Sequence, residues 1–416
     1  MTADRRWAGR WAGPAFLGVA DQGLSSLSNV LAVVIVARAL DADAFGRFAL
    51  VYAVMILVLG VSRSYLGTRL ALAADPGLAR AATAEVLGGL LAVAPVVAAV
   101  VFGVGVALTG GEATAIALVV AVAAPVVCLQ DAVRFGAVAS GRPGVAFASD
   151  LVWTVAVAAV LIGGSGLGGP AVMAAWLASA VAALVVGLIL MGVRPRVRSG
   201  LVALVTRHHM SESMAFGTVV GQAAALAVSS VAAAAIGPAA AGALRGASTI
   251  LGPLNVVFAY VHLGLTPWLV RRPRSADLRA CRSVALVIGG VVVAWGVVVL
   301  LVPDAWGTAL LGESWNGARD VLPFTVLEYV AIGLATASTL GLKVRGEAGV
   351  LARQKAVVGV VMVVLGCGAA LLWDDVRAVS AGLAVAAAIS AGLGWYHLGR
   401  SSRRADLSSP VPAASR

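Results

Sequence analysis

The chain has 416 residues, of which 61% are hydrophobic and only 12% charged, at a mean hydropathy of +0.98. Soluble domains run about 45–50% apolar and about 25% charged, so a soluble fold is excluded. The net charge of +11 raises nucleic acid as a partner class. However, the basic residues fall in short clusters between apolar stretches and build no long basic face. The positive-inside rule accounts for them, and no nucleic-acid partner is expected.

Lys343 and Lys355 are the lysines; every other basic residue is arginine. Cys128, Cys281 and Cys367 lie far apart, which indicates neither a disulfide framework nor a zinc site. No metal-ligand spacing occurs, and no cofactor is expected.

The N-terminal MTADRRWAGRWAGPAF carries charges like a signal-peptide n-region. The segment after it is too long and polar for an h-region, so it reads as an uncleaved first span. Twelve apolar segments follow in order, near 15–37, 45–65, 83–108, 114–138, 144–163, 171–193, 214–236, 241–264, 283–302, 321–341, 356–373 and 379–398. A bilayer core about 30 Å thick needs roughly 20 residues per helical span, so these predict an all-α integral membrane protein of about 12 transmembrane helices.

Placing the N-terminus, the connections after even-numbered spans and the C-terminal tail on one side gives that side 25 basic residues. The other side has only Arg38, Arg47, Arg319 and Arg377, and Arg245 stays within a span. The asymmetry predicts a multi-pass protein with both termini cytoplasmic, and a bacterial inner membrane is the expected location. The basic connection Arg194 to His209 divides the spans six and six. This predicts an N-terminal lobe over 1–193, a cytoplasmic linker over 194–213, a C-terminal lobe over 214–399 and a basic, disordered tail over 400–416. A faint internal echo pairs Gln22 with Gln222 at an offset of about 200, as in transporters built from repeats.

The first span is unusually polar. Asp21, Gln22, Ser25, Ser26, Ser28 and Asn29 share one arc at about 100° per residue. A carboxylate in lipid costs at least about 2.5–3.5 kcal/mol, so the stripe faces either a wet cavity or another helix. Arg245 lies about one turn into the eighth span, ahead of a Gly252-Pro253 break. It either snorkels to the outer interface or offers planar donors to a phosphate in a central cavity. Asp131 and Arg134, three apart, form an ion pair on one helical face, and Asp150 anchors its helix or extends the polar network. Glu328 lies well inside the tenth span, either protonated and hydrogen-bonded or titrating. Asp21 and Glu328 are candidates for ion coupling.

No GxxxxGK[ST] phosphate loop, GxSxG or HExxH is present, and the loops are too short for a separate catalytic domain. An enzyme is not expected. The open function classes are a transporter, a drug or cation antiporter, and a non-transporting scaffold of an envelope complex.

Several stretches carry a family resemblance. ADQGLSSLSNVLAVVIVARALDADAFGRFAL combines a polar first span, an Ala-Arg ending and a Phe-Gly after a short turn. LGVSRSYLG ends the second span, and ALLGESWNGARDVLPF precedes the tenth. With the twelve-span layout, the sequence resembles the polysaccharide transporters, the Wzx-type flippases, of the multidrug/oligosaccharidyl-lipid/polysaccharide (MOP) exporter superfamily. The resemblance implies a MATE-like, V-shaped pair of six-helix lobes. It implies alternating-access transfer of a polyprenyl-pyrophosphate-linked glycan to the outer leaflet, with a polysaccharide polymerase or glycosyltransferases as partners. It carries Arg245 over as the leading cavity cation, with Arg38 and Arg63 as secondary contacts; the polar arc adds Asp21, Gln22, Ser25 and Asn29, and the internal echo adds Gln222, as expected cavity lining.

Overall fold

A computed structural model describes residues 3–71, 75–164, 167–206, 209–270 and 277–408. Among them there is helix and no strand. The first half comprises α1 (Ala3–Ala39), α2 (Ala42–Ser62), the short α3 (Thr68–Ala71), α4 (Pro76–Leu108), α5 (Thr114–Ala139), α6 (Pro143–Gly163) and α7 (Gly169–Met191). A π-helical turn, Arg63–Gly67, joins α2 to α3. The connecting helix is α8 (Val197–Val205). The second half comprises α9 (His209–Ala235), α10 (Pro238–Ile250), α11 (Leu254–Val270), α12 (Asp277–Leu300), α13 (Asp304–Leu311), α14 (Trp315–Val344), α15 (Ala348–Trp373) and α16 (Val376–Ser408).

A helix satisfies its own backbone hydrogen bonds, which hydrocarbon cannot do, so an apolar chain of this length folds this way. Eleven described helices are long and apolar enough to span a bilayer. A twelfth span forms if α10 and Leu254–Val261, bent by 62° at their junction, count as one. The twelve predicted segments are therefore present. The expected kink in the eighth is a full break, because Pro253 removes a backbone donor where Gly252 already lowers helix propensity.

Helix ends follow local chemistry. Asp75 caps α4: its side chain accepts from the Gly77 and Leu78 amides at 2.8 and 2.9 Å, with Pro76 in the first turn. This starts α4 several residues before its apolar run. Asp41 caps α2 through the Ala44 amide at 2.7 Å. Of the tail expected to be unstructured over 400–416, the described part continues α16 as far as Ser408, with Arg345 donating to Ser402 and Ser401 to Glu347, both at 3.0 Å; 409–416 lie outside the described residues. The linker also contains ordered helix. α8 lies against α4, where Gly88, Gly89 and Gly200 let the backbones approach closely. The Arg196 amide donates to the Ala84 carbonyl at 2.8 Å, and Arg69 Nη1 to that of Ala203 at 2.7 Å.

Two sets of helices pack among themselves and meet along α2 and the second half of α1, where Ser26 donates to the Gly252 carbonyl at 3.4 Å. Near the start of α2, Gly46 lies against the Pro238 carbonyl of α10; a Cβ at Gly46 would overlap that carbonyl. Near its end, Ser64 and Thr218 of α9 share a hydrogen bond at 2.6 Å. Between these contacts, Phe48, Tyr52 and Trp176 stack in the core of the first set, with centroids 5.2 and 6.2 Å apart.

Candidate functional site

The polar stripe of α1 meets α5 and α6 in a closed ionic network. Arg134 of α5 is its hub. Its Nε donates to Asp21 Oδ2 at 2.9 Å and lies 3.1 Å from Asp150 Oδ2. Nη1 reaches Ser25 Oγ at 3.0 Å, and Nη2 reaches Gln22 Oε1 at 3.2 Å. Arg63, from the π-helical turn, grips Asp131 with two parallel bonds of 3.1 and 2.6 Å. Gln130 donates to Asp150 Oδ1 at 2.7 Å and to Ser149 Oγ at 3.2 Å. Asp21, Asp131, Asp150 and Arg134 are 3, 4, 1 and 8% exposed, so this is buried machinery rather than an open wall. Three carboxylates face two guanidinia, leaving one formal negative charge if all are ionised.

This resolves the alternatives at the stripe. Asp21 is held by another helix: the arginine is available 113 positions away, and a paired charge costs less in the interior than a lone one. Ser28 and Asn29 bond back to the Ser25 carbonyl of their own helix at 3.0 and 2.8 Å. The expectation that Asp21 lines a cavity is corrected accordingly. Asn29 is half-buried, with its amide nitrogen committed to that carbonyl. The Asp131–Arg134 pair forms as expected, at 3.4 Å, and Asp150 does extend the network. Arg134 is the residue that sequence reading undervalued. An arginine inside the 114–138 span was the available signal; its partners on α1 and α6 were not visible.

Arg245 lies outside that network. It lies on α10 where α10 packs on α2, with its guanidinium carbon 4.6 Å from the centroid of Tyr52. A cation over an aromatic face is attracted by the ring quadrupole. Arg245 Nε is buried without a hydrogen-bond partner, and Arg245 has no carboxylate partner among the described residues. Ser248 and Thr249 bond back to its carbonyl at 2.9 and 2.7 Å, and Tyr329 of α14 donates to the Ser248 carbonyl at 3.3 Å. Glu328, next to Tyr329, is half-buried and also makes no ion pair among the described residues.

The remaining expected residues are scattered. Gln222 lies on α9 opposite Gly60 of α2, beside the Ser64–Thr218 contact. Arg63 is bonded to Asp131 and passes 5.9 Å from the Phe135 ring. Arg38 is exposed near the end of α1 and lines a small cavity of about 160 Å³ with Leu161 and Gly164. The structure thus joins Asp21, Gln22, Ser25 and Arg63 in one cluster and leaves Arg245, Arg38, Gln222 and Glu328 elsewhere. No group of metal-ligating side chains occurs among the described residues.

No protein-family model matches the sequence, and no curated protein matches it. Solved structures do. The inward-facing conformation of a multidrug resistance MATE family transporter of the MOP superfamily superposes with a TM-score of 0.71. It covers 92% of this chain and 96% of that one at 14% identity. The chain shares the helical fold of that structure. The lipid II flippase MurJ in an inward closed conformation matches at TM-score 0.65 and 9% identity, over 95% of this chain and 89% of that one. An outward-facing MATE structure matches at 0.61 and 15%, over 95% of both chains. This shared fold answers the expectation of an all-helical, MATE-like architecture. At these identities it speaks for the fold and leaves the cargo to the chemistry of the site.

Proposed function

We propose that the chain is an inner-membrane transporter that carries a polyprenyl-pyrophosphate-linked oligosaccharide from the cytoplasmic to the outer leaflet by alternating access. The observation that carries this reading is a difference in charge matching. The acids of α1, α5 and α6 are each bonded to Arg63 or Arg134, whereas Arg245 stands at the junction of the two helix sets with no acid partner among the described residues. An unmatched guanidinium suits a pyrophosphate, whose paired oxygens accept its parallel donors.

The rest follows from physical requirements. The polar head must cross about 30 Å of hydrocarbon, and a wall of helices needs only side chains to solvate it. Rocking of one helix set against the other along α2 exposes the head to each leaflet in turn, while the lipid tail stays outside. Without a nucleotide loop, the energy comes from an ion gradient or from consumption of the product outside. The odd negative charge of the α1–α5–α6 network provides a place for one coupling proton at Asp21 or a neighbouring carboxylate. A polysaccharide polymerase and glycosyltransferases are the natural partners, and both termini lie in the cytoplasm.

The deciding experiment is deletion in the native host, followed by assay of lipid-linked glycans on each leaflet. Build-up on the cytoplasmic side, rescued by the wild-type chain and not by Arg245→Ala, is expected. Unchanged glycan distribution on deletion would reject the proposal.

A second reading, a drug or cation antiporter, is favoured by one observation. Glu328 is a carboxylate inside the helix bundle with no ion-pair partner among the described residues. Loss of dye efflux on deletion and in Glu328→Gln, with glycan export intact, would select it.

A further inference from the structure

A largely apolar pocket with a few polar side chains lies among α9, α14, α15 and α16. Its volume is about 260 Å³. Lys355 of α15 lies against Gly217 of α9: a Cβ at Gly217 would stand 2.9 Å from Lys355 Cδ and 3.1 Å from Nζ. Among the described residues no carboxylate pairs with this ammonium. Beside it, Gln354 is 7% exposed. Its Nε2 donates to the Ser390 carbonyl at 2.8 Å, while its Oε1 has no partner. Thr339 adds a hydroxyl to the wall, and Val358 and Met362 add apolar surface. Gly221 also lines the pocket, and a Cβ there would meet nothing within 4 Å.

We propose that this pocket binds the headgroup of an anionic, hydroxylated phospholipid of the phosphoglycerol type. Three requirements select that chemistry. The ammonium calls for an anionic oxygen. The orphaned Gln354 oxygen calls for a donor, which a bare phosphate diester lacks and a glycerol hydroxyl supplies. The apolar wall suits the carbon skeleton between them. Position fits as well: Lys355 is seven residues from the start of α15, about 10 Å at 1.5 Å per residue, in the first third of that helix, from where its long side chain can reach toward the interface. By the charge asymmetry this is the cytoplasmic end, where basic pockets between spans meet anionic lipid. Gly217 also adjoins Thr218, which bonds Ser64 of the π-helical turn, so the occupied pocket braces the segment of α9 that touches α2.

The test uses the purified full chain in a neutral detergent, titrated with dioctanoyl phosphatidylglycerol, dioctanoyl phosphatidylcholine or glycerol 3-phosphate, with thermal unfolding as the readout. Saturable stabilisation by phosphatidylglycerol alone is expected. Lys355→Met and Gly221→Leu should each weaken it at least tenfold, and Lys355→Arg should retain it. Gly221→Leu fills the pocket from a helix position with room for a side chain, so it guards against a folding defect in the lysine variant. Equal stabilisation by glycerol 3-phosphate, lost in the same variants, keeps the pocket chemistry and transfers it to a soluble source. Equal stabilisation by phosphatidylcholine, or unchanged phosphatidylglycerol affinity in both weakening variants, overturns the proposal. Binding is read without transport, so its failure and that of the flippase reading remain distinguishable.

Discussion

Arg134 of α5 and Asp21 of α1 stand 2.9 Å apart, and the same guanidinium nitrogen lies 3.1 Å from Asp150 of α6. One side chain thus fastens three helices of the first set. Removing it leaves buried carboxylates without their counter-charge, a change that costs about 3–5 kcal/mol in buried pairs. Arg134→Ala is therefore expected to lower the thermal midpoint sharply and reduce the folded yield. Asp21→Asn, which keeps a neutral hydrogen-bonding group, should cost much less. Thermal unfolding of the purified variants checks this; equal midpoints for wild type and Arg134→Ala would show that the network contributes nothing to stability.

Arg245 is expected to behave in the opposite way. Its ring contact with Tyr52 contributes about 0.5–2 kcal/mol, so Arg245→Ala should unfold only slightly earlier than wild type. Export of the lipid-linked glycan should nevertheless be lost. Arg245→Lys keeps the charge without the planar fork and should retain only part of the activity. Leaflet-resolved glycan assays separate these outcomes. A variant without the guanidinium that exports at the wild-type rate would remove Arg245 from the site.

Gly46 lies against the Pro238 carbonyl, and Gly242 lies close to Phe45, where a Cβ would sit 3.0 Å from the ring. A methyl group at Gly46 has nowhere to go while α2 and α10 are in contact. Gly46→Ala should pry this end of the junction apart. A cysteine introduced at Ala239 should then react faster with a membrane-impermeant thiol reagent added from outside. Reactivity unchanged from the parent would mean that the contact relaxes by another route.

Proton coupling has two candidate carriers with different surroundings. Asp21 is bonded to Arg134, whereas Glu328 has no ion-pair partner among the described residues. Transport into vesicles should rise with an imposed pH gradient in the wild type. The increment should vanish in whichever of Asp21→Asn and Glu328→Gln removes the coupling group. Identical rates with and without the gradient in the wild type would exclude proton coupling at both residues.

The sequence alone determined that this chain is a bundle of about a dozen membrane helices, because length, hydropathy and the distribution of arginine are local or summed properties. It also identified Gly252-Pro253 as a break, since proline acts on its own backbone, and the polar arc of α1, since helical periodicity fixes which residues share a face. Tertiary structure decided what that arc touches. The ion-pair partner of Asp21 is 113 positions away, and no periodicity carries information across such a distance. For the same reason only the fold could separate a guanidinium consumed by carboxylates, Arg63, from one left unmatched, Arg245. Charge on a residue is written in the chain, whereas its neutralisation depends on which helices are brought side by side.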